Sequence, residues 1–191
     1  PDGVMMVAPS DHVIFKEETF KNNLNTAIDA ARGSEKLITL GIVPTRPETG
    51  YGYIQYHTSS TSEVKKVKTF TEKPELEQAK AFIDSGDFVW NAGMFVWSID
   101  TITKAFQNYL KDIAAVFEEG KEKYYSADEQ TFIDSAYGRC ESISIDYGIM
   151  EKADEVYMVK GDFDWSDLGS WDSLHEIKEK DADNNVIDGN A

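Results

Sequence analysis

The stretch VMMVAPSDH, at residues 4–12, joins five consecutive apolar residues to a short polar loop. A continuous apolar run of this length is typical of a strand that is covered on both faces of a sheet. From residue 17 to residue 32 apolar side chains recur at helical spacing, and Gly33 supplies a stop signal. The run LITLGI at residues 37–42 predicts a second buried strand. A strand, a helix and a strand in this order form a βαβ unit, which favours a parallel sheet.

The later segments continue the alternation of strands and helices. Proline and glycine residues mark a loop at residues 44–52, and Pro74 suits the first turn of a helix. The remaining segments are predicted as strands at 53–56, 64–71, 88–97 (with a polar break at its centre), 142–144 and 156–159, and as helices at about 99–109, 113–123, 147–152 and from 173. The sequence therefore predicts an α/β fold with a mixed, mostly parallel sheet flanked by helices.

Composition excludes several classes of protein. Among the 191 residues, 35 Asp and Glu outnumber 19 Lys and Arg, so the formal net charge is -16. Such a surface repels polyphosphate backbones, which makes nucleic acids and anionic membranes poor partners. A small anionic substrate is still compatible with this charge, because a few cations inside a cleft outweigh a screened, distant field. No apolar run of about 18 residues exists, so no transmembrane helix is predicted.

The cysteine content and the first residues bear on the setting of the chain. Cys140 is the single cysteine, so neither an intrachain disulfide nor a zinc site with several cysteines is predicted. We therefore expect a cytoplasmic protein. The chain begins with Pro1 rather than Met and runs almost directly into the first strand. We expect it to be a piece of a longer protein.

Two aspartates stand in loops that follow apolar strands. Asp11 comes just after the run at residues 4–8, and Asp167 lies in the segment WSDLG. Ligand crevices in open α/β sheets form outside the carboxyl ends of the strands. A divalent ion that is bound to phosphates takes one or two carboxylates as ligands, which these residues could supply. The alternatives are a turn or helix cap for Asp11 and an N-cap for Asp167.

Four further residues are candidates for contact with a substrate. Lys73 is a compact cation suited to a phosphate, and Glu72 beside it can accept hydrogen bonds from sugar hydroxyls. Asn91 is an amide within an apolar and aromatic stretch, where a ligand could satisfy it. Gly52 would let a ligand approach the backbone closely. Each has a simpler interpretation as a solvated charge pair, a satisfied buried amide or a turn glycine.

Six motifs, taken in their order along the chain, indicate a protein family more specifically than any single motif does. They are SDH at residues 10–12, GYGYI at 50–54, FTEKP at 70–74, WNAGMF at 90–95, SIDY at 144–147 and WSDLGSW at 165–171. Together they resemble the nucleotide-sugar pyrophosphorylases, over residues 4–174. FTEKP is shared across that group, whereas WNAGMF, SIDY and WSDLGSW are most similar to the mannose-1-phosphate guanylyltransferases.

The resemblance implies a Rossmann-like nucleotide-diphospho-sugar transferase fold and a role for each matching position. Asp11 and Asp167 match the family's magnesium ligands, so Mg²⁺ is the implied cofactor. Lys73 matches the lysine that grips the sugar phosphate, and Glu72 matches the acid that contacts sugar hydroxyls. The remaining positions match residues that line the sugar pocket or lie at its edge: Gly52, Asn91 and Asp146.

The implied activity is the formation of GDP-mannose and pyrophosphate from GTP and mannose 1-phosphate. The alternatives are a pyrophosphorylase for glucose 1-phosphate or another hexose 1-phosphate, and a non-catalytic paralogue that binds sugar nucleotides. The family's glycine-rich nucleotide loop is not in this sequence. We therefore expect residues 1–191 to be the sugar-phosphate-binding portion of a single domain, inactive alone, with a C-terminal extension that begins after about residue 173. The sequence leaves open whether the chain forms a homo-oligomer.

Overall fold

A computed structural model describes residues 3–187, apart from the side chains of residues 172 and 176. Eight strands alternate with six α-helices and one π-helix in the described residues. The strands are β1 (Val4–Val7), β2 (Val13–Ile14), β3 (Leu37–Ile42), β4 (Tyr53–Tyr56), β5 (Val64–Thr71), β6 (Phe88–Ser98), β7 (Val156–Gly161) and β8 (Trp165–Ser166). The helices are α1 (Glu17–Ala31), α2 (Leu76–Ser85), α3 (Ile99–Tyr109), α4 (Lys111–Glu118), α5 (Glu129–Tyr137), the π-helix Asp146–Met150 and α6 (Trp171–Ile177).

Six of the strands form one sheet in the order β1-β6-β3-β7-β5-β4. The predicted mixed α/β sheet with flanking helices is confirmed. Strands β1, β3, β4 and β7 point the same way, but β3 and β7 are the only parallel neighbours in the described part of the chain. The reason is that β6 is inserted, antiparallel, between the two strands of the βαβ unit, and β5 is inserted between β7 and β4.

The sheet is covered on both faces. Helix α1 packs its apolar stripe, including the fully buried Ala27 and Ala31, on one face. Helix α3 and the π-helix cover the other face, around Trp97, Ile102 and Ile149. Since burying one Leu or Ile side chain contributes about 1.5–3 kcal/mol, the all-buried β3 is a principal source of stability. No helix in residues 3–187 is long and apolar enough to cross a membrane.

A bulge interrupts β6 at the predicted polar break. Thr39 pairs with Phe95 but Gly41 pairs with Asn91, so four steps along β6 match two along β3. Gly93 lies inside the bulge with a φ of 65°, a left-handed conformation that favours glycine. The hydroxyl of the fully buried Thr39 lies 3.1 Å from the carbonyl oxygen of Met94 and 3.3 Å from Oδ1 of Asn91. The bulge therefore fixes the direction of the Asn91 side chain.

Several local predictions were wrong or incomplete. Residues 142–144 are irregular rather than a strand, because no partner strand pairs with them among the described residues. Helix α5 and the β2–β8 pair were not predicted. Strand β1 is covered on one face only: Val4 and Met6 pack into the core, whereas Met5 and Val7 are 39% and 43% exposed. Within the described residues β1 also pairs on one side only, with β6.

An open edge with exposed apolar side chains predicts that the 191-residue chain self-associates, because such strands pair between molecules. Replacing Met5 and Val7 together by Lys should shift the chain towards the monomer, since edge lysines block that pairing. Size-exclusion chromatography with light scattering over a range of concentrations measures the effect. Leu76→Lys, at an exposed apolar position of α2, is the matched control and should change little. A wild-type chain that stays monomeric throughout would contradict the argument.

Candidate active site

The predicted sugar-pocket residues meet where three strands pair. Tyr53 of β4 pairs with Thr71 of β5 and with Trp90 of β6, both antiparallel. The next residues along these ladders are Gly52, Glu72 and Asn91, so the pairing register brings them together. The main-chain N–H of Asn91 donates to the carbonyl oxygen of Gly52 at 2.8 Å. A Cβ atom on Gly52 would lie 2.5 Å from Oε2 of Glu72, so only glycine fits there without displacing that carboxylate.

Asn91 connects this pocket to the π-helix. Its Nδ2 donates to Oδ1 of Asp146 at 2.7 Å, and its Oδ1 accepts from the main-chain N–H of Gly93 at 3.1 Å. Burial raises the pKa of Asp146, and the hydrogen bond from Asn91 opposes this shift. Burial, followed by the negative charges of Asp146 and Glu72, raises the pKa of Glu151. The pocket thus gathers carboxylates that can accept hydrogen bonds from hydroxyl groups.

Lys73 adjoins these acceptors. Its Nζ lies 3.6 Å from Oε1 of Glu72, and its side chain is 65% exposed. An ion pair this exposed contributes about 0–1 kcal/mol at most, so the ammonium group can exchange partners at little cost. The backbone of Lys73 is left-handed, with a φ of 44°. Non-glycine residues adopt this conformation at a cost, and such residues cluster at functional sites.

The two predicted metal ligands are brought together by the short β2–β8 pair. Val13 pairs with Ser166 in the last rung of this ladder, so His12 and Asp167 are the next residues on the two chains and Asp11 comes one residue further on. The indole Nε1 of Trp165 donates to Nδ1 of His12 at 3.1 Å, which ties the two loops to each other. Asp11 is exposed and Asp167 is partly buried. The two carboxylates therefore stand in adjacent loops although they are far apart in the sequence.

Tyr51 joins the two halves of the site, and sequence reasoning missed it. Its hydroxyl donates to Oδ1 of Asp167 at 2.8 Å, and its ring packs edge-on against Trp90 and Trp165. Burial, together with the hydrogen bond to Asp167, raises the pKa of Tyr51 far above its usual value, so the phenol stays protonated. Its position in the GYGYI motif, next to Gly52, was the only signal in the sequence.

Arg46 is a second residue that the sequence analysis overlooked. Its guanidinium carbon lies 5.5 Å from the ring centroid of Trp90, and its Nε lies 3.3 Å from Oε2 of Glu48. The positive charge also opposes the rise in the pKa of Tyr51. The prolines at residues 44 and 47 predicted a loop here but did not indicate that Arg46 packs against Trp90.

The donor set of the site suits a hard divalent cation. Asp11 and Asp167 offer carboxylate oxygens, and Mg²⁺ in proteins is commonly bound through one or two carboxylates plus substrate phosphates and water. Among the described residues, no group of three or more His, Cys, Asp or Glu side chains could hold a metal ion by itself. Any ion held by Asp11 and Asp167 would therefore take its remaining ligands from substrate and solvent.

The structure thus combines a six-stranded mixed sheet with carboxylates in loops that are joined by a short strand pair. The chain belongs to the nucleotidyl transferase family, whose family model matches residues 1–184. It is similar to a mannose-1-phosphate guanylyltransferase of Sinorhizobium fredii, with 41% identity over 192 residues, which is 100% of this chain and 37% of that protein. One from Escherichia coli is 39% identical over 97% of this chain and 41% of its own length.

Solved structures agree with the fold. A crystal structure described as a mannose-1-phosphate geranyltransferase from Thermus thermophilus matches with a TM-score of 0.80 and 34% identity, over 91% of this chain and 49% of that one. One described as a mannose-6-phosphate isomerase from Helicobacter pylori matches with a TM-score of 0.70 and 28% identity, over 85% of this chain and 63% of that one. The chain spans about two fifths of the length of the curated relatives that it matches.

Because burial raises the pKa of Asp146, we expect its ionised carboxylate to lower the stability of the fold. A carboxyl group whose folded pKa lies above its unfolded value destabilises the fold as pH rises through and beyond those values. Asp146→Asn keeps an acceptor for Asn91 and removes the buried charge. We expect its melting temperature to exceed that of the wild type by about 2–4 °C at pH 7, with the difference lost as the pH falls from the raised pKa of Asp146 towards the usual value of about 4.

Thermal unfolding followed by circular dichroism at several pH values measures this difference. Asp183→Asn removes an exposed carboxylate in the C-terminal loop and should leave the melting temperature unchanged at every pH. An Asp146→Asn variant that is less stable than the wild type at pH 7 would show that the ionised carboxylate stabilises the fold.

Proposed function

We propose that this chain supplies the sugar-phosphate side of a mannose-1-phosphate guanylyltransferase, which forms GDP-mannose and pyrophosphate from GTP and mannose 1-phosphate. One observation carries the proposal: the pairing register of β4 with β5 and β6 brings Glu72, Gly52 and Asn91 together, with Lys73 beside Glu72. The names of the Sinorhizobium and Escherichia relatives support the choice of sugar and nucleotide.

The pocket is suited to a sugar because its groups are mostly acceptors. Glu72 and Asp146 accept hydrogen bonds from sugar hydroxyls, and Asn91 is held in place by its bond to Asp146. Hydrogen bonds to charged acceptors contribute about 1.5–3 kcal/mol each, enough to select one pattern of hydroxyl groups. A pocket lined by carboxylates repels a phosphate, however, so the phosphate must lie where cations offset that repulsion.

Lys73 offers a cation beside this pocket. Its ammonium group is already within 3.6 Å of Glu72, so it can neutralise a phosphate attached to a sugar that Glu72 holds. The side chain is a flexible point charge, which suits a phosphate whose position changes during the reaction. Lys73 thus binds the substrate and also reduces repulsion between two anionic reactants.

In the reaction, a phosphate oxygen of mannose 1-phosphate attacks the α-phosphorus of GTP. A new P–O bond forms there, the bond from the α-phosphorus to the bridging oxygen breaks, and pyrophosphate leaves with that oxygen. The attacking oxygen is already ionised near neutral pH, so the chain needs no general base. Catalysis then consists of positioning and charge neutralisation.

Asp11 and Asp167 would hold Mg²⁺, which supplies positive charge for the phosphates when it is bound. Both carboxylates stand in loops, and the hydrogen bond from Trp165 to His12 keeps the two loops together. Tyr51 links these loops to the sugar pocket, since its hydroxyl contacts Asp167 and the next residue is Gly52. These contacts hold the sugar pocket and the proposed metal ligands in place relative to each other.

The direct experiment uses the whole protein and measures pyrophosphate release. Mannose 1-phosphate and glucose 1-phosphate are each offered with GTP and with the other nucleoside triphosphates. The proposal expects the highest kcat/KM for mannose 1-phosphate with GTP. A preference for glucose 1-phosphate would favour another hexose 1-phosphate pyrophosphorylase. Binding of the sugar phosphate without turnover would indicate a non-catalytic paralogue.

Lys73→Ala should raise KM for mannose 1-phosphate about 10- to 100-fold and also lower kcat, because a charge-assisted hydrogen bond to the phosphate is lost. Steady-state kinetics of the whole protein measure both constants. Lys104→Ala is the control, since Lys104 is an exposed lysine of α3 that pairs with Glu35. Wild-type kinetics for Lys73→Ala would refute the role of Lys73 at the phosphate.

A further inference from the structure

The carboxylate of Asp167 uses its two oxygens differently. Oδ1 accepts from the hydroxyl of Tyr51 at 2.8 Å and from the main-chain N–H of Gly169 at 3.0 Å. Oδ2 receives no hydrogen bond from the part of the chain that the structure describes. A carboxylate held in this way cannot rotate without breaking two hydrogen bonds, one of them from a neutral phenol that is partly buried.

Tyr51 is itself held firmly. Its ring lies between Trp90 and Trp165, with ring centroids 5.2 and 5.3 Å away and both contacts edge-on. Trp90, one of the two tryptophans that contact the Tyr51 ring, is almost fully buried and belongs to the core of the domain. The hydroxyl group is therefore presented from a rigid frame rather than from a mobile surface side chain.

Gly169 makes the second contact possible. A Cβ atom at this position would lie 2.8 Å from Oδ2 of Asp167, closer than a non-bonded carbon and oxygen approach one another. Any side chain at residue 169 would therefore push the carboxylate away from its present orientation. Leu168, between the two residues, is in the left-handed conformation with a φ of 52°, and its N–H donates to Oγ of Ser166 at 3.2 Å.

We propose that Tyr51 is a positioning residue for Asp167: together with the N–H of Gly169 it occupies Oδ1 and presents Oδ2 as the single oxygen that binds the divalent cation. The inference rests on the proposed function, since it concerns the cation of that same site.

The test measures metal binding without turnover. Mn²⁺ replaces Mg²⁺ as the probe, and free Mn²⁺ is followed by electron paramagnetic resonance in the whole protein with GTP present and mannose 1-phosphate absent. Tyr51→Phe keeps the ring between the two tryptophans and removes only the O–H donor. We expect it to weaken Mn²⁺ binding about tenfold, because a carboxylate that is no longer held in place must be immobilised when the ion binds.

Three further variants separate positioning from general damage. Gly169→Ala leaves Tyr51 intact but displaces the carboxylate, so it should weaken Mn²⁺ binding at least as much as Tyr51→Phe. Tyr56→Phe also removes a tyrosine hydrogen bond, to the carbonyl oxygen of Gly86 at 3.4 Å, and should leave Mn²⁺ affinity unchanged. In an Asp167→Asn background, Tyr51→Phe should have no additional effect, because its target has lost its charge.

The outcomes separate this inference from the proposed function. Equal Mn²⁺ affinity of the wild type and Tyr51→Phe, with the wild type clearly binding, overturns the positioning role and leaves the guanylyltransferase proposal standing. A wild type that binds no Mn²⁺ beyond what GTP alone binds overturns the metal site and this inference together. Weakened Mn²⁺ binding in Tyr51→Phe supports the inference even if the preferred sugar phosphate is not mannose 1-phosphate.

Discussion

Strand β6 is hydrogen-bonded to β1, β3 and β4, and the bulge between Asn91 and Phe95 lies where these pairings change over. The first half of β6 pairs with β4 and with the end of β3, and the second half pairs with β1 and the start of β3. The bulge makes β6 part of the candidate site, because it places the amide of Asn91 beside Asp146 and next to Gly52. Thr39 stabilises the bulge from the buried centre of the sheet, where an unpaired polar group would cost about 1–3 kcal/mol.

The electrostatics of the site follow from this arrangement. The chain is acidic as a whole, and the pocket beside Asn91 is acidic as well, so it favours neutral hydroxyl groups over anions. In the proposed function, an anionic substrate would depend on Lys73 and on the cation proposed for Asp11 and Asp167. The proposal thus assigns selectivity for a sugar and neutralisation of a phosphate to different groups. Tyr51 lies between these groups, because it contacts Asp167 and precedes Gly52.

Particular residues show how far the sequence alone could lead. The fully buried β3 and the helix α1 could be predicted because a mostly apolar run and the helical spacing of apolar residues are visible in the local sequence. The order of the motifs singled out the pocket residues, which the pairing register then brings together. The insertion of β6 between β1 and β3 could not be predicted, since it depends on long-range pairing rather than on local pattern. The contact between Tyr51 and Asp167 could not be predicted because the two residues are distant in sequence. Strands β2 and β8 could not be predicted because each is too short to show an alternating pattern of apolar and polar residues.

We propose that the loop carboxylates and the sugar pocket form one site. Paramagnetic broadening of the ³¹P resonance of mannose 1-phosphate by Mn²⁺, in the whole protein, measures this proximity directly, since the effect requires the ion and the phosphate to lie close together. We expect strong broadening in the wild type and its loss in Asp167→Asn, with mannose 1-phosphate still bound. Bound Mn²⁺ and bound mannose 1-phosphate without any broadening of the ³¹P resonance would contradict it.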